Sequence, residues 1–300
     1  MEATTRPTAR PRKRRWGDRY DGRRLRSLNA FYQITPYIMR TRSDAQVFFE
    51  DRIDIGHVEK WLRHNRDEGH RDIGFLHVFM AAMVRTLSQR PQLNRFIAGQ
   101  RIYARNEIQI SLALKKRLQE DSPETTVKLT FLPTDTITDV ARTINAAVGE
   151  NKSADAFNDT DSTARLFMLA PGFLVRFLLW LVRALDFHGK LPKALHKVSP
   201  FHTSVFVTDL GSLGIKSIYH HIYDLGTTSI FAAFGEKEVV REPDRDGRTV
   251  ARRYIGMKVV GDERICDGHY FAMSFRYMAS LFKDPSVLER PPEAVIEDVD

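Results

Sequence analysis

The hydrophobic period of this chain changes several times along its length, and that alternation restricts the folds open to it. Over 75–89, Phe75, Val78, Phe79, Ala82, Met83 and Thr86 recur at the three- and four-residue intervals of one helix face, and Pro91 ends the run. The period then drops to two. Residues 95–103 and 107–114 read as strands joined at Ala104-Arg105-Asn106, and 125–132 reads as a third strand closed by Pro133. Helical spacing returns over 136–148, with Thr136 placed to cap it and Asp139 three residues on. Strands are predicted again at 203–208, 228–234 and 250–260, with a hairpin turn at Asp246-Gly247, and a final helix at 270–282. Residues 31–54 read as extended structure leading into a helix over 57–65. Strands interleaved with helices and hairpins predict an α/β two-layer sandwich with a mixed β-sheet, not a doubly wound parallel one.

Composition sets the size of the core and the distribution of charge. A chain of 300 residues, 42% hydrophobic, can bury one large domain or two small ones. Its +8 charge is concentrated at one end: residues 1–26 hold ten Lys and Arg against three Asp and Glu, a net +7. Residues 1–28 therefore read as a disordered Arg- and Pro-rich arm, either a solvated tail or a weak contact for anionic lipid, nucleic acid or an acidic partner. Residues 29–300 read as the folded domain. The lone Cys266 excludes an intrachain disulfide and a cysteine zinc cage, so no metal is expected. The basic start runs into Trp16, Asp18 and Tyr20 rather than an apolar stretch, which argues against a signal peptide. The expected location is the cytoplasm, with peripheral attachment to a membrane as a variant of it.

Residues 173–187 are apolar apart from Arg176, Arg183 and Asp186. The two arginines, seven residues apart, share one helix face, and Pro171-Gly172 separates this run from the apolar 166–170. The stretch reads as amphipathic rather than membrane-spanning, because two arginines in hydrocarbon would cost several kcal/mol. Three placements stay open: packing on the domain or a neighbouring subunit, an interfacial membrane helix, or a lid over an acyl-chain pocket.

No Gly-rich phosphate loop, His-Glu-x-x-His pair or Gly-x-Ser-x-Gly elbow is present, which removes support for kinase and common hydrolase chemistry. Two motifs in the last third remain, Phe206-Val207-Thr208-Asp209-Leu210-Gly211 and Glu263-Arg264-Ile265-Cys266-Asp267-Gly268-His269. In their order, and with Pro91-Gln92-Leu93-Asn94 upstream, they resemble the catalytic domain of the 2-oxoacid dehydrogenase acyltransferase subunits and their relative chloramphenicol acetyltransferase. That family carries Ser/Thr-Asn-Leu-Gly at the end of a strand and His-x-x-x-Asp-Gly before a helix. The resemblance spans about 30–290, with 165–199 as an apolar helical insertion, and Glu263 stands where the motif places the catalytic histidine.

The resemblance implies a coenzyme A-dependent acyltransferase fold, an acyl-coenzyme A substrate, and a homotrimer with its active channel between subunits. It implies that a thiol or hydroxyl loses its proton to the residue at 263 and attacks an acyl thioester, while Thr208 supports the oxyanion. Asp267 corresponds to an aspartate that fixes the loop through an arginine, here Arg40 or Arg42. The family's Asp-Lys-Ala lipoylation signal is missing, so no lipoyl domain is expected. An ordinary carboxylate near pKa 4.3 is a poor base for a thiol near 8.5, so proton transfer by Glu263 requires burial beside Asp267. The alternative is an inactive acyltransferase-fold scaffold that binds its ligand without turnover.

Other side chains have ordinary explanations as well as chemical ones. His269 follows the Asp-Gly directly. His220 and His221 are adjacent on an extended segment and so point opposite ways. His202 precedes Thr208 by an even count, which on a continuous strand puts both on one face. Cys266 reads as a packing residue.

Overall fold

A computed structural model describes residues 13–69, 71–115, 124–151 and 169–300. The first twelve residues of the basic arm and 165–168 of the insertion lie outside the described residues. The elements run β1 (Gly22–Arg24), α1 (Ala30–Ile38), β2 (Gln46–Asp54), α2 (Gly56–Asp67), α3 (Phe75–Gln89), β3 (Arg95–Ala98), β4 (Arg101–Arg105), β5 (Ile108–Lys115) and β6 (Glu124–Phe131). They continue with α4 (Ile137–Asn151), α5 (Gly172–Phe187), α6 (Lys193–Val198), β7 (Val205–Asp209), β8 (Ile230–Pro243), β9 (Thr249–Asp262) and α7 (Gly268–Lys283).

Six strands form the main sheet in the order β2-β9-β8-β7-β5-β6. Strands β5, β7 and β8 are parallel neighbours and the remaining pairs are antiparallel, so the sheet is mixed, as the alternating periods predict. Its two faces differ because side chains alternate along each strand. Val205, Val207, Ala232, Phe234, Met257 and Val259 face the helices and join one core with Val78, Phe79, Val140, Ile144, Phe271 and Met278. The opposite face carries Phe206, Phe231 and Val260, covered by Ile222 and its neighbours. Gly261 on β9 lets α7 close in, since a Cβ there would lie 2.8 Å from the Phe271 ring.

A small sheet, β1-β4-β3, adjoins the main one and corrects two expectations. Residues 95–103 form a hairpin and not one strand: Gly99 and Gln100 both take positive φ, 54° and 57°, and reverse the chain. The basic segment is not all free tail, because β1 pairs with β4 and seats it on the body. Arg19 is 4% exposed, held by Asp21 at 2.8 Å and by Asp186 of α5 at 2.7 Å. Residues 30–38, read as extended, are helical. Asn29 caps α1 by accepting from Tyr32 N.

Candidate functional site

Strand β7 carries the first motif. Val205 and Val207 point into the core, so Thr208 shares the opposite face with Phe206. Thr208 lies between Ala113 on β5 and Ala233 on β8 and is itself buried, 7% exposed in the single chain. Continuing that row, Ala233 faces Lys258 and Lys258 faces Glu50, so a hydroxyl, an ammonium and a carboxylate share one line across the sheet. Lys258 Nζ is 3.7 Å from Glu50 and 4.9 Å from the Tyr219 ring centre.

The motif ends in glycine for a local reason. A Cβ at Gly211 would lie 2.6 Å from the carbonyl oxygen of Gly235, and one at Gly235 would lie 2.3 Å from Ser217 N. Here the chain leaving β7 runs hard against β8, with Leu210 N donating to Phe234 O at 2.9 Å and Glu236 N to Ile215 O at 2.9 Å. Asp209 accepts from Ser212 N at 3.0 Å; burial pushes its carboxyl above the usual range, against the pull of the Ser212 and Gly211 N–H groups. Farther along, His220 stacks on Phe231 with ring centres 4.5 Å apart, while His221 is exposed.

The second motif forms the turn from β9 into α7. Asp262 and Arg264 are buried and paired, and Arg264 Nη1 reaches Met39 O at 2.8 Å, tying the turn to the end of α1. Glu263, between them, donates its N–H to Ala45 O at 2.9 Å and leaves its side chain exposed. The burial that proton transfer by this carboxylate requires is therefore absent in the single chain. Cys266 is buried in the core, and that burial pushes its thiol up. Asp267 caps α7 through Tyr270 N at 2.7 Å and accepts from the Tyr32 hydroxyl at 2.8 Å. These bonds, the Tyr270 N–H first, hold its carboxyl below the usual range. The arginine partner expected for Asp267 is not there: Arg42 donates to Ile97 O at 2.7 Å and its backbone N–H to Asp224, and Arg40 is exposed. The loop-fixing pair is Asp262–Arg264 instead. His269 is exposed and lines a cleft of about 280 Å³ with Tyr32, Arg95, Asp267 and Tyr270.

Strand register separates the two motifs within one chain. Thr208 shares its row with Lys258, five residues before Glu263 and two strands away. At about 3.3 Å per residue and 4.8 Å per strand, Thr208 and Glu263 are roughly 19 Å apart. The structure thus places Asp267 and His269 near Glu263, and sets Thr208 in a row across the middle of β9 and β2, away from all three.

A further ionisable cluster is missed by motif reading. His202 does not lie on β7, which starts at Val205. Its Nε2 faces Asp186 at 3.3 Å and its Nδ1 hydrogen-bonds the Ser199 hydroxyl at 2.7 Å, while His196 faces Asp21 at 3.1 Å. Burial lowers the His202 imidazole to about 4 despite the pull of Asp186. Asp186 is held at about 2, because His202 and Arg19 outweigh the burial that would raise it. Hydroxyl, imidazole and carboxylate follow one another as in a hydrolase triad, but His202 is 1% exposed and Arg19 occupies Asp186, so no substrate can approach. The sequence signal was Asp186 itself, the only acid in the apolar run 173–187. Among the described residues no group of His, Cys, Asp and Glu could hold a metal ion.

No protein-family model matches the chain, and neither does any curated protein sequence. Solved structures do match. A probable dihydrolipoamide acetyltransferase from Listeria monocytogenes 4b F2365 is 15% identical with a TM-score of 0.55, covering 87% of this chain and 94% of that one. A chloramphenicol acetyltransferase is 11% identical with a TM-score of 0.55, covering 87% of this chain and 100% of that one. The cubic core of a pyruvate dehydrogenase multienzyme complex is 14% identical with a TM-score of 0.54, covering 94% and 99%. The fold of this chain is therefore the chloramphenicol-acetyltransferase-like α/β sandwich expected from its motifs.

Proposed function

We propose that this chain binds acyl-coenzyme A thioesters and transfers their acyl group in a site assembled between copies of itself in a homotrimer. The observation that carries the reading is the separation of Thr208 and Glu263 by roughly 19 Å along and across the sheet. One chain cannot bring both to the same carbonyl carbon, whereas two copies packed through the half-covered sheet face can. That face offers Phe48, Ile218 and Tyr219, which are 57%, 49% and 39% exposed. Two of the matched structures are named as acetyltransferases, and the third is the core of an assembly.

In this reading Glu263 accepts the proton of an acceptor thiol, and the resulting thiolate attacks the acyl carbonyl carbon. The Thr208 hydroxyl of a neighbouring copy donates to the oxyanion while the coenzyme A thiolate leaves and takes the proton back from Glu263, which restores the carboxylate. Asp267 holds the start of α7, and His269 borders the entrance. Exposure of Glu263 in the single chain favours a second reading, an assembly that binds acyl thioesters without turnover, because an exposed carboxylate is a weak base for a thiol.

Incubation with short- and long-chain acyl-coenzyme A, an acceptor thiol and separate quantification of the transferred acyl product distinguishes the two. Turnover by the native protein that is lost in Glu263→Gln and in Thr208→Ala, and is partly regained when the two variants are co-assembled, is the expected result. Binding without turnover supports the second reading. Activity in Glu263→Gln equal to that of the native protein overturns the role of Glu263.

A further inference from the structure

Helix α5 turns its aromatic side outward. Positions 173, 176, 177, 180, 183 and 187 follow the three-four spacing of one helix face, and all six are exposed. Phe173, Phe177, Trp180 and Phe187 are 76%, 53%, 63% and 49% exposed, and Phe177 stacks on Trp180 with ring centres 5.9 Å apart. Arg176 and Arg183 lie in this same stripe. The arginines therefore do not mark a polar face opposite an apolar one, as their spacing suggests in sequence. Val175, Leu178, Val182 and Leu185 are half-buried on the other side, and only Asp186 is fully buried.

The helix is held by its C-terminal end. Asp186 meets Arg19 and His202, and Gly99 passes so close to Phe187 O that a Cβ would lie 2.5 Å away. The charge around it has one sign. Over 169–200 the exposed charges are Arg176, Arg183, Lys190, Lys193 and Lys197, and the single acid, Asp186, is buried. Aromatic rings with arginines among them, in a field of exposed cations, match the boundary between anionic headgroups and acyl chains. Rings settle at that depth and the arginine stems extend to the phosphates. The helix has 16 residues, about 24 Å at 1.5 Å each, which is short of the about 30 Å hydrocarbon layer. Among the described residues no helix is long and apolar enough to cross a membrane.

We infer that α5 lies in the plane of an anionic lipid bilayer surface and attaches the protein to it through Phe173, Phe177, Trp180 and Phe187, with Arg176 and Arg183 on lipid phosphates. The attachment is independent of acyl transfer and holds whether or not the protein turns over a thioester. The test is co-sedimentation of the full chain with phosphatidylcholine vesicles, with and without phosphatidylglycerol, alongside light scattering to follow oligomeric mass. The expected result is binding to the anionic vesicles, weakened at least about tenfold by Arg176→Glu with Arg183→Glu. Phe177→Ser with Trp180→Ser lowers it similarly, with circular dichroism and oligomeric mass unchanged. A blue shift of tryptophan emission on anionic vesicles should disappear in Trp180→Phe. Failure to bind anionic vesicles, equal binding to neutral ones, or binding insensitive to both double variants overturns the inference. A fall in oligomeric mass in Phe177→Ser with Trp180→Ser also overturns it, and assigns the face to a second copy of this chain.

Discussion

Arg264 grips Asp262 from two residues away, with Nε and Nη2 donating to the two carboxylate oxygens at 2.7 and 2.6 Å, and both side chains are shut off from solvent. Glu263 lies between them, so its placement depends on this pair. Asp262→Asn would leave a buried guanidinium without its counter-charge, and is expected to cost about 3–5 kcal/mol. Adding Arg264→Met should recover part of that loss. Urea denaturation of both variants checks this; an unchanged midpoint in Asp262→Asn would show that the pair contributes nothing.

The His202 cluster makes stability fall on acidification. Its imidazole sits at about 4 in the folded protein, and an unfolded histidine is near 6.5. Between those values the unfolded chain binds more protons, so stability is lost as pH falls, on the order of 3 kcal/mol. His196, lowered chiefly by burial, acts in the same direction. Asp21 and Asp186, held low despite burial by His196, His202 and Arg19, keep their stabilising contribution until below the ordinary carboxylate range. Arg19 stays charged because its two carboxylates outweigh burial, and burial brings Lys128, whose ammonium donates to His196 O at 2.8 Å, down to about 7. His202→Gln should flatten the decline of Tm between about pH 6.5 and 4. A slope as steep as the native one would contradict the assignment.

Asp209 predicts the opposite pH sign. Burial raises its folded-state pKa above the unfolded value, so its ionised form opposes folding once the pH exceeds the unfolded value. Asp209→Asn keeps an acceptor for Ser212 N and removes the charge. Thermal unfolding should show a higher Tm for the variant near neutral pH and a shrinking gain as the carboxyl protonates in acid. A gain independent of pH would point to packing instead.

Particular elements show what can be read from a sequence and what cannot. Helix α3 and strands β5, β6, β8 and β9 were legible because their apolar residues recur at the period of the element, even where, as in α3 and the first half of β8, burial extends to both sides. Helix α1 was not, because Phe31, Ile34, Tyr37 and Ile38 are 73%, 51%, 54% and 65% exposed and so do not report a core of their own. The hairpin at Gly99 and Gln100 was hidden by burial on both arms, since Phe96, Ile97, Ile102 and Tyr103 are all shut in and read as one apolar run. Of the candidate site, the Thr208 strand and the place of Asp267 just before a helix were legible as local motifs, whereas its role as the cap of that helix and its partner were not. The sequence suggested an arginine from 40 or 42, and the structure supplies the Tyr32 hydroxyl.

The residues alone determined the sandwich and the order of its motifs, because strand, turn and cap preferences act over a few neighbours along the chain. Only the tertiary structure decided the environment of each charge. Arg19 reads as part of a solvated arm, yet it is buried against an aspartate 167 residues away. Glu263 would need burial to act as a base, yet it is exposed between two residues that are enclosed. Burial and ion pairing depend on which distant segments fold together, and that information is not carried by any short stretch of chain.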